Sequence, residues 1–479
     1  MNVMRRTHSK RGDPPTSTPW PLAGWDSPLG LCRAELVQSE YEGRFVPPAL
    51  VESLDELEEE SLAAIQEIAA ELAALPVDGA FPYVQPDALD AIRAQRPPGP
   101  RRLVLDMTDD DLFDRFHGAW TGRAAGCALG KPVEMLGMFG KQRRSGRACI
   151  KELLVKRGDW PLRDYVAGSS DAVEAGLFCP QSWRENIQFL EADDDIHYSL
   201  IALHVLERFA DRFDWTDVAD TWNELLPYAS ICTAETQAIL NYNLRTSRKR
   251  VARGVRGEVS PEFTRRHNNP YREWIGAQIR ADVWGYACAA DPERAAGLAW
   301  RDASWTHTAN GVYAAMMTSA MIAAAFVEPD VCRLVEIGLS EIPQRCRLAE
   351  AVRQAMQWLD ECADFESFMA RHERAFGDLH PTHAVNNALI VIMALHYGEG
   401  DLDRTIATAV MAGLDTDSNG ATAGSIAGAR LGRKRLASTL AARLNDRIRP
   451  HVVGYSDVSM ADLAARTLAV NGRLRQQAG

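Results

Sequence analysis

The nine cysteines of this 479-residue chain include no C-x-x-C pair. An odd, unpatterned set points to buried thiols in a reducing compartment rather than to a disulfide framework. No run of eighteen apolar residues occurs, so no segment is expected to span a membrane. Positive charge is not in excess: the formal net charge is −12, which argues against a general nucleic-acid binder, although local basic patches can still meet phosphates. Alternating strand-type patterns are scarce. Met4-Arg5-Arg6 is followed by a polar, proline-rich stretch where a targeting signal needs an apolar core, so the cytoplasm is the expected location.

What is present is apolar and helical. Hydrophobic residues make up 46% of the chain, enough for a large core. Residues 1–28 have little to bury and are expected to be a disordered tail. Residues 29–107 read as a helical N-terminal extension: Leu54, Leu57, Leu62, Ile65, Ile68 and Leu72 recur at helical steps, either in one long helix over 47–76 or in a pair, with proline-rich linkers at 76–86 and 97–100. Residues 108–479 read as one catalytic domain, with 135–190 a long loop region carrying short helices. From 196 onward helical periodicity dominates, including segments at 275–288 and 433–446. The expected class is all-α.

Two stretches have glycine at every fourth position: Gly118, Gly122, Gly126 and Gly130, then Gly420, Gly424, Gly428 and Gly432. Each such glycine costs up to about 1 kcal/mol relative to Ala in a helix. A face so built is pressed against something, and two matching ridges are natural partners, although small-residue ridges also pack against bulky neighbours. Asp415, Asp417 and Ser418 stand at the mouth of the second ridge helix. Asp193, Asp194 and Asp195 open another apolar-periodic helix, where acidic residues also serve as caps and dipole partners. Thr108–Asp111 looks much the same and reads as a cap. Five carboxylates and a hydroxyl brought together require a cation. Oxygen ligands without His or Cys suit Mg²⁺, Mn²⁺ or Ca²⁺ rather than zinc. Glu134 follows the first ridge helix and reaches this mouth if the two ridges pair; otherwise it is a surface residue.

Two further polar clusters precede apolar helices. In the first, Trp305 and His307 either stack on and bond a ligand or belong to a capping turn with a core Trp. In the second, His383 and Asn387 share a helix face. Arg280, isolated in an apolar segment, pairs with a core carboxylate or meets a phosphate.

In this order, Asp114–Glu134, Asp193–Ser199, Ala303–His307 and Gly413–Gly424 resemble the motifs of the ADP-ribosylglycohydrolase family, the group that includes dinitrogenase-reductase-activating glycohydrolase. The resemblance covers roughly residues 112–475. It implies an all-α orthogonal multi-helix bundle, here with an N-terminal helical extension, and a binuclear Mg²⁺ site, with Mn²⁺ as the alternative metal. Asp194 and Asp195 take the positions of the first metal-binding pair, and Asp193 that of the threonine that usually precedes them. Asp415, Asp417 and Ser418 match the second set. Glu134 matches the glutamate near the ribose site. Two positions depart from the pattern: Cys127 stands where the family usually has Asp, and Asp193 and Ile196 replace threonines.

The implied activity is Mg²⁺-dependent hydrolysis of a ribosyl glycosidic bond, through a transition state with oxocarbenium character. Asp193, Asp194 or Glu134 would serve as general base; Trp305 or Tyr198 would stack on a base. The expected partner is an ADP-ribosylated protein or an ADP-ribose-like small molecule. Two alternatives stay open: an N-ribosyl hydrolase acting on a free nucleotide or NAD-derived metabolite in a biosynthetic pathway, and a non-catalytic ADP-ribose-binding protein.

Overall fold

The two glycine ridges pack on each other. The computed structural model describes residues 23, 26–169, 172–246 and 259–478. In it the Asp109–Gly130 and Thr416–Leu431 helices lie antiparallel, with Gly118 against Gly428, Gly122 against Gly424, Gly126 against Gly420 and Gly130 against Asp417. A Cβ added at any of these four positions of the first helix would fall closer than 3.0 Å to the partner's backbone. The helix propensity given up at each glycine is offset by backbone-to-backbone packing that no larger residue permits. Thr108 starts the first helix with a capping box to Asp111, the role its sequence suggested.

Around this pair the chain is all-α. Every residue of the Ala309–Ala325 helix is buried, and its alanines let neighbours approach from all sides. Most helices fall where periodicity placed them, and the exceptions have local causes. The segment expected as one helix over 275–288 is a 3-10 stretch, Ile275–Arg280, followed by a short helix, Asp282–Ala287. The 433–446 segment is a 3-10 turn, Arg433–Arg435, and a short helix, Thr439–Arg443, because Gly432 at φ +75° and a second start capped by Ser438 interrupt it. The region 135–190 holds a full helix, Gly146–Arg157, capped by Ser145 and stopped by left-handed Gly158. A small sheet was not expected: Leu190–Glu191 pairs in parallel with Arg447–Arg449, which pairs antiparallel with Val458–Ser459. It fixes the chain just ahead of Asp193.

The N-terminal helices Pro28–Tyr41, Pro48–Asp55 and Leu62–Ala74 close over an apolar cluster of their own that includes Leu29, Cys32, Leu50, Leu54, Ile65 and Leu72. The 47–76 stretch is thus a pair of helices rather than one. Buried Arg272 ties this unit to the rest, bonding Glu35 and Glu42, each at 2.6 Å. Of the tail expected to be disordered, 1–22 and 24–25 lie outside the described residues. Its end is anchored: Ser27 caps Gly30 N at 3.0 Å, and Ala23 N donates to Gln237 Oε1 at 3.0 Å. Among the described residues, no helix is long and apolar enough to cross a membrane.

Candidate active site

Antiparallel ridges bring the end of one helix to the start of the other. Glu134, just past Gly130, thereby meets Asp415 and Asp417 at the mouth of the Thr416–Leu431 helix. The Thr416 hydroxyl donates to Gly130 O at 2.9 Å and locks the junction. Gly413 and Leu414 both have left-handed backbone, with φ of +77° and +59°, and the Leu414 N–H donates to Gly137 O at 3.1 Å. This turn aims Asp415 at the site, and a non-glycine residue held there stores strain next to functional groups.

The third acidic segment enters from the Asp194–Phe209 helix. Asp193 caps it, accepting from Asp195 N at 2.9 Å, so the capping role and the site role coincide in one residue. Asp195 accepts from the Ser418 hydroxyl at 3.0 Å, which joins the two acidic segments. Two carboxylate groups result, Glu134/Asp415/Asp417 and Asp193/Asp195/Asp417, each with ligand oxygens within 4.8 Å of one another.

The electrostatics follow from crowding. Burial first, and then their acidic neighbours, push Glu134, Asp195, Asp415 and Asp417 well above the usual carboxylate range. Asp194 is pushed up to about 8 by burial, Asp193 and Glu235. Asp193 differs: burial raises it, but the charge and hydrogen bond of the Lys131 ammonium outweigh this and hold it below its ordinary value. Six carboxylates face the fixed cations Lys131 and Arg123. The donor set is all oxygen, and Asp417 Oδ1 is buried without a partner. These residues fit a hard divalent cation such as Mg²⁺ or Mn²⁺.

Lys131 and Arg123 were not singled out from the sequence. Lys131 Nζ donates to Asp193 Oδ2 at 2.6 Å and to Ala192 O at 2.7 Å. Fully buried Arg123 bonds the carbonyl and carboxylate of Asp195, Asp282 Oδ2 at 2.7 Å and Ile279 O at 2.6 Å. For Arg123 the signal was available: a charged residue inside a helix of small residues must be buried with a partner.

The residues expected to bind substrate have other neighbours. Trp305 is wholly buried among Trp215, Trp222 and Tyr242, and Tyr198 is buried against Trp222. Neither offers an open ring face, so the stacking expected of them is replaced by core packing. His307 is fully buried, bonds Thr306 Oγ1 at 2.8 Å, and lies 3.9 Å from Glu235; burial and Arg280 keep it neutral. His383 caps the Ala384–Tyr397 helix, edge-on to Tyr41 of the N-terminal unit. Asn387 supports the segment around Asp415: its Oδ1 accepts from Asn419 Nδ2 at 2.7 Å and Asp415 N at 3.4 Å. Arg280 takes the first of its two expected roles, bonding Glu235, Asp302 Oδ2 at 2.9 Å and Thr306 Oγ1 at 2.9 Å.

No curated protein matches the chain. A solved structure described as an ADP-ribosylglycohydrolase-related protein complex is similar over 76% of this chain and 99% of its own, at 18% identity and a TM-score of 0.40. The sequence model of the ADP-ribosylglycohydrolase family matches residues 108–474, from the cap of the first ridge helix to the last helix of the fold. With most of its length matched in this way, the chain belongs to the ADP-ribosylglycohydrolase family and is a glycohydrolase.

Proposed function

We propose that this protein is a divalent-metal-dependent hydrolase that cleaves the ribosyl glycosidic bond of ADP-ribosylated substrates, with Mg²⁺ as the metal and Mn²⁺ as a substitute. The observation that carries this reading is the meeting of Glu134, Asp415 and Asp417 across the paired glycine helices, beside Asp193–Asp195. A divalent cation held by these carboxylates would orient ribose hydroxyls and an attacking water and would offset the carboxylate charge.

The chain's own groups do the rest. Asp415, the N-cap that follows the strained Leu414, and Asp417, in the first turn of the helix, would supply ligand oxygens. Negative charge near the anomeric carbon favours the developing oxocarbenium ion. We assign the general base to Asp194. In support, Asp193 has both oxygens engaged by Lys131 and Asp195 N, Glu134 belongs to a ligand group, and Asp194 is half-buried at the helix start, outside both groups. A base poised near neutral pH suits proton abstraction from water, and Asp194 lies nearest that range.

A competition assay with Mg²⁺ on ADP-ribosyl-arginine, ADP-ribosyl-serine and free N-ribosides tests the proposal. Release of ADP-ribose from a protein-linked substrate supports it. Turnover confined to free N-ribosides moves the enzyme to the nucleotide or NAD-metabolite class. ADP-ribose binding without turnover of any substrate points to the non-catalytic binder.

A further inference from the structure

The two carboxylate groups share Asp417 but differ in what already surrounds them. In the Asp193/Asp195/Asp417 group, both outer residues are satisfied by the protein. Asp193 Oδ1 accepts from Asp195 N at 2.9 Å, and Oδ2 from Lys131 Nζ at 2.6 Å. Asp195 Oδ2 accepts from Ser418 Oγ at 3.0 Å, and Oδ1 lies 3.3 Å from Arg123 Nη2. The Glu134/Asp415/Asp417 group differs. The oxygens of Glu134, Asp415 and Asp417 lie within 4.8 Å of one another, and Asp417, shared by both groups, keeps Oδ1 buried with no partner. Carboxylates so placed need a proton or a cation between them.

Lys131 is not a stray surface charge. It is 5% exposed and starts the 3-10 turn that directly follows the first ridge helix. Its ammonium is held by two acceptors, Asp193 Oδ2 and Ala192 O. It therefore puts a fixed positive charge on the carboxylate that would serve a second metal. Asp193 is also the position where the resemblance leads one to expect a threonine. A neutral hydroxyl there would give an ammonium no charged partner, so the carboxylate and the lysine make sense together.

We propose that Lys131 is a built-in cation occupying the place of a second metal, so that this chain binds one divalent ion, at Glu134, Asp415 and Asp417. The inference rests on the metal-dependent reading above and narrows it. Lys131 is a positioning residue: it acts through Asp193, neutralising that carboxylate and fixing its orientation. Removing the ammonium frees Asp193 Oδ2 and makes the Asp193/Asp195/Asp417 group competent for a second ion.

The test is stoichiometry, read without turnover. Metal-stripped full-length protein is titrated with Mn²⁺ alone, followed by equilibrium dialysis and electron paramagnetic resonance. The expected result is one Mn²⁺ per chain with the spectrum of an isolated ion. Lys131→Met should take up two, with a spin-coupled spectrum, and Lys131→Arg should stay at one. Asp193→Asn in an otherwise unchanged chain should also keep one, because the ion does not use Asp193; this arm stands even if Lys131→Met fails to fold. Two coupled ions in the unchanged protein overturn the inference. So does a natively melting Lys131→Met that still binds one, or loss of an ion in Asp193→Asn. Failure of the functional reading looks different: it is silence in the substrate assay with the single Mn²⁺ in place. If the unchanged protein binds no Mn²⁺, both readings fall.

Discussion

At the scale of single residues, the site is defined by what its carboxylates lack. Asp417 belongs to both ligand groups and keeps one buried oxygen without a donor. Asp417→Asn should lower kcat/KM by on the order of 10²-fold or more, in line with losses when one charge-stabilising group is removed. Steady-state kinetics at saturating Mg²⁺ would check this, and retained activity would sink the metal assignment. Asn387 touches the site only through Asp415 N and Asn419. Asn387→Ala should therefore weaken metal affinity by about 10–100-fold, as supporting residues of metal ligands do; a Mn²⁺ titration reads it directly. The crowded acids also set a pH dependence. Asp194 has its folded pKa raised to about 8 from an ordinary value near about 4. A raised acid contributes stability that is full below the unfolded value and lost as pH rises through the folded one. Metal-stripped protein should accordingly melt at progressively lower temperature from about pH 4 to about pH 8, and added Mg²⁺ should raise Tm more at the alkaline end. A Tm of the stripped protein that is flat or rises over that window would contradict the crowding.

At the scale of elements, two helices do most of the positioning. Their glycine faces let the backbones touch, and antiparallel packing carries Glu134 to Asp417. A methyl group at Gly126 would strike Gly420 O and the Ala421 N–H. Gly126→Ala should destabilise the fold by about 1–3 kcal/mol, the usual cost of overpacking, despite the better helix propensity of Ala. Gly79, where an added Cβ meets nothing within 4 Å, is the matched control, and there Ala should change stability by less than about 0.5 kcal/mol. Denaturant midpoints for the two variants decide the matter. Equal midpoints would mean that the ridges tolerate separation.

At the scale of the whole molecule, the N-terminal unit has its own small core and is held to the catalytic body by buried charge. Arg272 bonds Glu35 and Glu42, and Arg266 bonds Glu42 and Asp87. Arg272→Ala leaves two carboxylates partly stripped of their partner and should cost about 3–5 kcal/mol. Because the break falls at the junction, limited proteolysis should cut within the proline-rich 76–86 linker of the variant before the body is digested. A variant resistant to proteolysis there would show that the apolar contacts alone hold the unit. The end of that linker and the residue after it also bind the body: Tyr313 OH donates to Pro86 O at 2.6 Å, and Trp300 Nε1 to Asp87 O at 2.9 Å.

The sequence by itself determined the all-α class, the positions of most helices and the acidic segments at helix starts, and it marked the two glycine ridges as candidates for close packing. These are written in short-range periodicity and in residue types whose cost in a helix demands a close neighbour. Only the tertiary structure decided which acids share a group, that Lys131 and Arg123 neutralise one half of the cluster, that Asn387 braces Asp415, and that Trp305 and Tyr198 pack inward. It also decided the small sheet. Many of those outcomes depend on distant partners: Arg123 and Asp195 are 72 residues apart in sequence, and Thr416 and Gly130 are 286 apart. Local pattern carries no information about such distances, and burial and charge pairing are settled only once the helices have packed.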